Sequence, residues 1–377
     1  MNRIILIGNG FDLAHGLKTS YADFIDDLWE HDRVGLINNL DADIFTYEGK
    51  YITVQAPRNT NVTFKAKSIQ AKGFSFFIEL GDTQFSDLNN NRIEIILRYR
   101  NKFLFDISLK QTLKNWVDVE EAYYTELIEL LRDDEPHLSD RKVIKEFSEN
   151  EKKVKMLNKE FSELQMALEN YLEKQMANNV FSTEINDIFY SSVSQDDFIE
   201  KSDESKIAEN TLFLNFNYTP TLVCYVNNQL SSIIHIHGKI KAPDNPIVFG
   251  YGDEIDERYI MLENKNNNEY LANIKSFKYS RTNNYRDMLR FIFSGKYQVF
   301  IMGHSCGLSD RTLLNVLFEH ENCKSIKIFY YIDKNGNDNY SETYMNLSRS
   351  FKNKSKMREI VVAKESSVPY VDLQECV

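Results

Sequence analysis

Short apolar strands set off by glycines and helical segments constrain this chain more than any other feature. "RIILI" (residues 3–7) opens the series. "TLFLNFN" (211–217), "SIIHIHG" (232–238), "PIVFG" (246–250), "YQVFIMG" (297–303), "SIKIFYYI" (325–332) and "REIVVA" (358–363) follow in the second half. Runs with so little polar alternation are buried on both faces, as in a parallel sheet. Helical patterns at Tyr285–Phe293 and Thr312–His320 separate several of them. The alternation predicts an α/β fold, a Rossmann-like parallel sheet covered by helices on both faces. The first strand joins that sheet only if the residues between are looped out.

Those residues change character twice. Residues 41–110 hold "YITVQA", "NVTFKAK", "FSFFIEL" and "RIEIILRYR", β-rich runs separated by Gly, Asn and Pro. They predict a small antiparallel insertion. Residues from about 139 to 205 read as a helical insertion. Within it Val154, Leu157, Phe161, Leu164, Leu168 and Tyr171 step by three and four. That seam suits a helix facing a core, or an arm that pairs with a second copy of the chain. The α/β domain is then assembled from residues 1–40 and 111–377.

Charge and cysteines narrow the classes. A formal net charge of −11 over 377 residues is the wrong sign for a protein whose affinity comes from phosphate neutralisation, so nucleic acid is not the expected partner. Cys224, Cys306, Cys323 and Cys376 form no Cys-x-x-Cys pair. No zinc module or disulfide framework is expected, and a reducing cytoplasm is. Neither a signal-peptide pattern nor an apolar run of about 18 residues is present, so no membrane span is predicted.

Four motifs carry chemistry. The strand "RIILI" runs into Gly8-Asn9-Gly10-Phe11-Asp12. Small residues between a strand and a helix let a backbone approach a phosphate. The usual dinucleotide fingerprint is incomplete, since Leu13 stands where its third Gly belongs and Asp26 and Asp27 fall inside a helical pattern. A tight turn with no ligand is the alternative. Gly303-His304-Ser305-Cys306-Gly307 fits the G-x-S-x-G elbow of serine hydrolases. His320, on the next helix, is the sole His downstream of Ser305, and a helix leaving the elbow carries it away from the hydroxyl. A second phosphate or ribose loop is the other reading of Gly303–Ser305. His235 and His237 sit two apart and share a strand face. With no acid or Cys cluster nearby, a metal is not expected. His237 precedes Gly238 at a strand end, where a base lines the crevice of a parallel sheet. Asn215 and Asn217 end another strand; Asn217 suits a turn cap or the positioning of a water or ribose hydroxyl. Asp118 in "WVDVEEAY" reads as a helix N-cap with Glu121 closing a capping box, and a site role for Asp118 or Glu120 stays open.

Together "ILIGNGFDLAHGLKTSYADF", "WVDVEEAY", "LNFNYT", "HIHG" and "FIMGHSCGLSD" resemble the AbiH family of bacterial proteins linked to abortive infection by phage. The resemblance covers both ends of the chain and leaves out residues 41–110 and most of 140–205. More distantly the set is similar to the sirtuin-like NAD-binding fold. Gly8-Asn9-Gly10 matches that fold's Gly-Ala-Gly turn, Asn217 its strand-end Asn, His237-Gly238 its catalytic His-Gly, and Gly303-His304-Ser305 its Gly-Thr-Ser loop. Thr219 stands where that family has Asp, Ser20-Tyr21 where it has Phe-Arg, and the zinc-binding Cys pairs are missing, which speaks against protein deacylation. The resemblance implies an NAD+ hydrolase that uses His237 and Asn217 and contacts NAD through Gly8, Asn9, Gly10, Phe11, Asp12, Asn217, Gly303, His304 and Ser305. Its expected partners are this nucleotide and a phage-derived trigger. A sensor that binds NAD or ADP-ribose without cleaving it is the alternative.

Overall fold

The computed structural model describes residues 1–39, 46–55, 96–110, 113, 115–132, 140–176, 181–199, 207–226 and 230–369. The chain forms two compact units, one of Met1–Thr19, Glu120–Asn158 and Leu172–Val377, the other of Ser20–Val119 and Lys159–Tyr171.

The first unit is built on a five-stranded parallel sheet of β1 (Asn2–Ile7), β5 (Thr211–Asn215), β6 (Ser231–His235), β7 (Tyr297–Met302) and β8 (Cys323–Phe329), in the order β6-β5-β1-β7-β8. The strands run parallel because each return passes through helical or looped chain, and the alternating pleat sends successive side chains to opposite faces. Ile4, Leu6, Leu212, Leu214, Val299 and Ile301 face one core, closed by the helices Asn284–Phe293, Arg311–Glu319, Tyr340–Arg349 and Lys354–Ile360. Ile5, Ile7, Phe213, Phe300 and Met302 face the other, closed by Asn9–Ala14, Thr183–Phe189 and the 3₁₀ turn Thr221–Tyr225. The α/β reading with a parallel sheet covered on both faces holds. Counted within the sheet the order is 3-2-1-4-5, so the winding reverses between β1 and β7, the place where open α/β sheets take ligands at their carboxyl ends.

Two expected strands did not form. Residues 246–250 form no strand, and their backbone is bonded outside any ladder. Val248 N–H donates to His237 O (2.7 Å), Gly250 N–H to Glu120 (3.1 Å), and Phe249 O accepts from Lys278 Nζ (2.7 Å). "REIVVA" begins inside the helix Lys354–Ile360, whose first N–H groups are capped by Asn353 Oδ1; its remnant of strand is one bridge, Val361 to Ile326.

The second unit contains the helices Tyr21–Asn39 and Lys102–Leu109 and a small antiparallel sheet of β2 (Thr46–Glu48), β3 (Ile52–Gln55) and β4 (Ile96–Tyr99). The runs "NVTFKAK" and "FSFFIEL" lie outside the described residues. Buried Asp32 accepts the backbone N–H groups of Lys50, Tyr51 and Ile52 at 2.6–3.1 Å and so fixes the β2–β3 turn. Glu160 accepts those of Lys102 and Phe103, both at 3.1 Å, at the start of the helix Lys102–Leu109. The long helix Asp140–Gln175 carries the apolar seam. Val154 and Leu157 are buried in the first unit and Phe161, Leu164, Leu168 and Tyr171 in the second, so the seam faces cores. Asp118 lies in the first turn of the helix Trp116–Arg132 and accepts Asn115 N–H at 2.9 Å. It closes a cap from three residues inside the helix, so the N-cap position expected for it belongs to Asn115.

Candidate active site at the carboxyl ends of the sheet

The nominated residues leave the carboxyl ends of four adjacent strands. Gly8–Asp12 follow β1, Asn217 follows β5, His237 follows β6 and Gly303–Ser305 follow β7. The strand β6 ends at His235, so His237 lies in the turn beyond it and the shared-face argument for the two histidines does not hold. The rings have separate environments. His235 Nδ1 meets Asn215 Nδ2 at 3.2 Å, and burial, with Lys239 nearby, lowers its pKa to about 4.

The glycines of β1 and β7 serve each other. Gly10 N–H donates to Gly303 O at 2.9 Å. A Cβ on Gly8 would stand 2.5 Å from His304 Cα, and one on Gly10 would stand 2.8 Å from Gly303 Cα. Gly303 takes φ +72°, and a Cβ there would strike the Phe11 nitrogen. Only glycines let two backbones interlock this closely. The room their missing side chains leave is filled by protein, while Asn9 and Ser305 remain at the rim, the first half-buried and the second exposed.

Asn217 Nδ2 donates to Gly8 O at 2.9 Å, and its backbone N–H donates to Asn215 Oδ1 at 3.0 Å. Asp12 is buried beside it. Thr219 Oγ1 donates to Asp12 Oδ2 at 2.6 Å, while Oδ1 has no partner among the described residues. Burial pushes the Asp12 carboxyl up to about 6, and the hydrogen bond from Thr219 opposes it. A buried carboxylate oxygen with no donor fits a ligand hydroxyl. His15 is structural: Nδ1 lies 2.7 Å from Phe11 O, so it carries the proton, and Nε2 accepts from Tyr225 Oη at 2.6 Å.

His237 belongs to a buried charge cluster. Its Nε2 lies 3.0 Å from Asp310 Oδ1 and 3.2 Å from Tyr279 Oη. Asp310 Oδ1 also accepts from Lys275 Nζ at 2.8 Å, and Lys275 reaches Glu120 Oε2 at 2.9 Å. On the other carboxylate oxygen His304 Nε2 stands 3.6 Å away, while His304 Nδ1 accepts Cys306 N–H at 3.0 Å. Phe216 packs on both rings, 5.0 Å from His237 and 4.1 Å from His304. Burial alone would raise the Asp310 carboxyl, but Lys275 and His237 outweigh it and hold it well below the usual range. Burial raises Glu120 despite Lys275, and lowers His237 to about 4 with Lys275 adding to the effect and Asp310 opposing it. The cluster therefore holds a neutral imidazole against an ionised carboxylate.

A cavity of about 480 Å³ opens on this cluster, with Asp310 and Tyr279 on its wall beside Tyr285, Arg286, Glu254 and Thr312. Its size is within the ~300–1,000 Å³ of small-molecule sites. The residues nominated for NAD are not on that wall; its link to them is the contact of Asp310 and Tyr279 with His237.

The sequence reading missed Lys275 and Asp310 and left Glu120 open. Ser305 does not form a hydrolase elbow. It is exposed, the positive φ angles of the stretch fall on Gly303 (+72°) and Cys306 (+53°) and not on Ser305, and His320 stands past the far end of the helix Arg311–Glu319, packed on Phe293 and Tyr297.

A family model described as Bacteriophage abortive infection AbiH matches residues 4–332. No curated protein and no solved structure matches the chain.

Proposed function

The chain belongs to the AbiH family of bacteriophage abortive infection proteins, and from the resemblance of its motifs to the sirtuin-like NAD-binding fold we propose that it defends by hydrolysing NAD+ to nicotinamide and ADP-ribose. The observation that carries the reading is the siting of Asn217 and His237 beyond adjacent strands β5 and β6, beside the β1–β7 reversal of a 3-2-1-4-5 sheet. That order and that reversal are what Rossmann-like nucleotide-binding sheets use.

The chemistry asks little of the protein. The ribose–nicotinamide bond breaks, a water oxygen bonds to the ribose carbon, and a proton leaves the water. Positive charge develops on the ribose in between, as in glycoside hydrolysis. His237 takes the proton at Nδ1, while Nε2 stays on Asp310. Asn217, held by Gly8 O, orients the water or a ribose hydroxyl with its amide oxygen. Asp12 Oδ1 accepts a ribose hydroxyl, and Asn9 and Ser305 border the pyrophosphate. A positioned base supplies about 10²–10⁴-fold. Chromatography of purified protein with NAD+ tests the reading. Wild type should release nicotinamide, and Asn217→Ala and His237→Ala should lose turnover by at least about 10²-fold while still melting cooperatively. Equal release by all three proteins would overturn it.

One observation favours the sensor reading. Burial lowers the His237 pKa to about 4, which makes its ring a weak base at neutral pH. Calorimetric affinity for NAD or ADP-ribose with no nicotinamide released would select it.

A further inference from the structure

Three residues remote in sequence, Glu120, Lys275 and Asp310, form a continuous buried ion chain that ends on the ring of His237. Side-chain exposure is 5% for Glu120, 1% for Lys275 and 5% for Asp310. Ion chains this deep cost desolvation, and well-packed apolar residues often match or exceed their stability. Its arrangement is directional. Lys275 touches both carboxylates, and it shares Asp310 Oδ1 with His237.

We propose that Asp310, kept anionic by Lys275, is the positioning residue of the site: it fixes the orientation and tautomer of His237. A carboxylate only accepts, so the nitrogen facing it must carry the proton. Nε2 is that nitrogen, which leaves the lone pair on Nδ1. Phe216 and Tyr279 hold the ring from its sides. Glu120 holds Lys275 from the end away from His237 and accepts Gly250 N–H at 3.1 Å, tying the chain to the loop after Pro246. The titratable groups facing the ring are thus Asp310, Lys275, His304, Tyr279 and Tyr218. The catalytic consequence rests on the hydrolase reading; the tautomer does not.

Nitrogen-15 NMR of histidine-labelled whole protein reads the tautomer directly, with the His237 signals assigned by their loss in His237→Ala. Wild type should show one neutral ring, protonated at Nε2, from about pH 5 upward. Asp310→Asn should give a mixture of tautomers. Where Asp310→Asn does not fold, the wild-type spectrum still decides, since a His237 protonated at Nδ1 overturns the proposal. An unchanged tautomer in folded Asp310→Asn overturns it too. On an active wild type, Asp310→Asn should lower kcat by about 10²-fold or more with little change in KM, and Asp310→Glu should recover part of the loss. A kcat that Asp310→Asn leaves unchanged contradicts the proposal. A wild type that releases no nicotinamide contradicts the hydrolase reading and leaves the NMR result to judge the pairing alone.

Discussion

Lys275 Nζ lies 2.8 Å from Asp310 Oδ1, with both side chains almost wholly removed from solvent. The same ammonium meets Glu120 at 2.9 Å. One cation therefore holds two buried carboxylates, and its loss would leave both uncompensated. Lys275→Met should destabilise the first unit by about 3–5 kcal/mol, the range for breaking a buried ion pair from one side. Glu120→Gln combined with Lys275→Met should recover part of that, because one of the stranded charges is gone. Urea unfolding at pH 7 checks both, and a Lys275→Met midpoint equal to wild type would refute the chain's integrity.

Asp12 gives a pH dependence with a definite sign. Its folded-state pKa of about 6 lies above the unfolded value of about 3.9. The folded protein binds the extra proton, so this site's contribution is fully present below about pH 4 and is lost as pH rises through about 6. The shift corresponds to roughly 3 kcal/mol. Asp12→Asn should match wild type at pH 4 and exceed it in stability at pH 7, as read by urea midpoints. A gap that shrinks with rising pH would contradict the burial argument. Thr219→Asp should act the opposite way, since it replaces the 2.6 Å donor to Asp12 by a second carboxylate.

The interlocked turns predict a contrast between glycines. Gly8 has φ −126°, open to any residue, so the cost of Gly8→Ala is the collision with the His304 and Gly303 backbones. It should be about 1–3 kcal/mol or more. Gly336 has φ +82° and open space around it, so Gly336→Ala should cost only the left-handed penalty of about 1–2 kcal/mol. Thermal melts compare the two. A harmless Gly8→Ala would mean that the loops after β1 and β7 do not pack as described.

Much of the sheet was readable because burial on both faces leaves a local mark. β1, β5, β6, β7 and β8 are apolar runs bounded by turn residues, and the helices Asn284–Phe293 and Arg311–Glu319 have their own period. "PIVFG" misled because side chains 130 and 29 residues away, Glu120 and Lys278, bond its backbone in place of a neighbouring strand. "REIVVA" misled because the Asn353 cap and the burial of Met357 and Ile360 outweigh β-propensity. Gly8, Gly10 and Gly303 were legible as a close approach, but not as an approach to each other. Lys275 and Asp310 were invisible because nothing local distinguishes a buried lysine in "NIKSFKY" from a solvated one; its partners lie 155 and 35 positions away.

Cells carrying the protein and challenged with phage provide the most direct measurement, with NAD content and survival of the culture followed together for wild type, Asn217→Ala and His237→Ala. The account predicts that NAD falls and the culture is protected only with wild type, while both variants accumulate to wild-type levels. Protection that persists in either variant with NAD undiminished would contradict it.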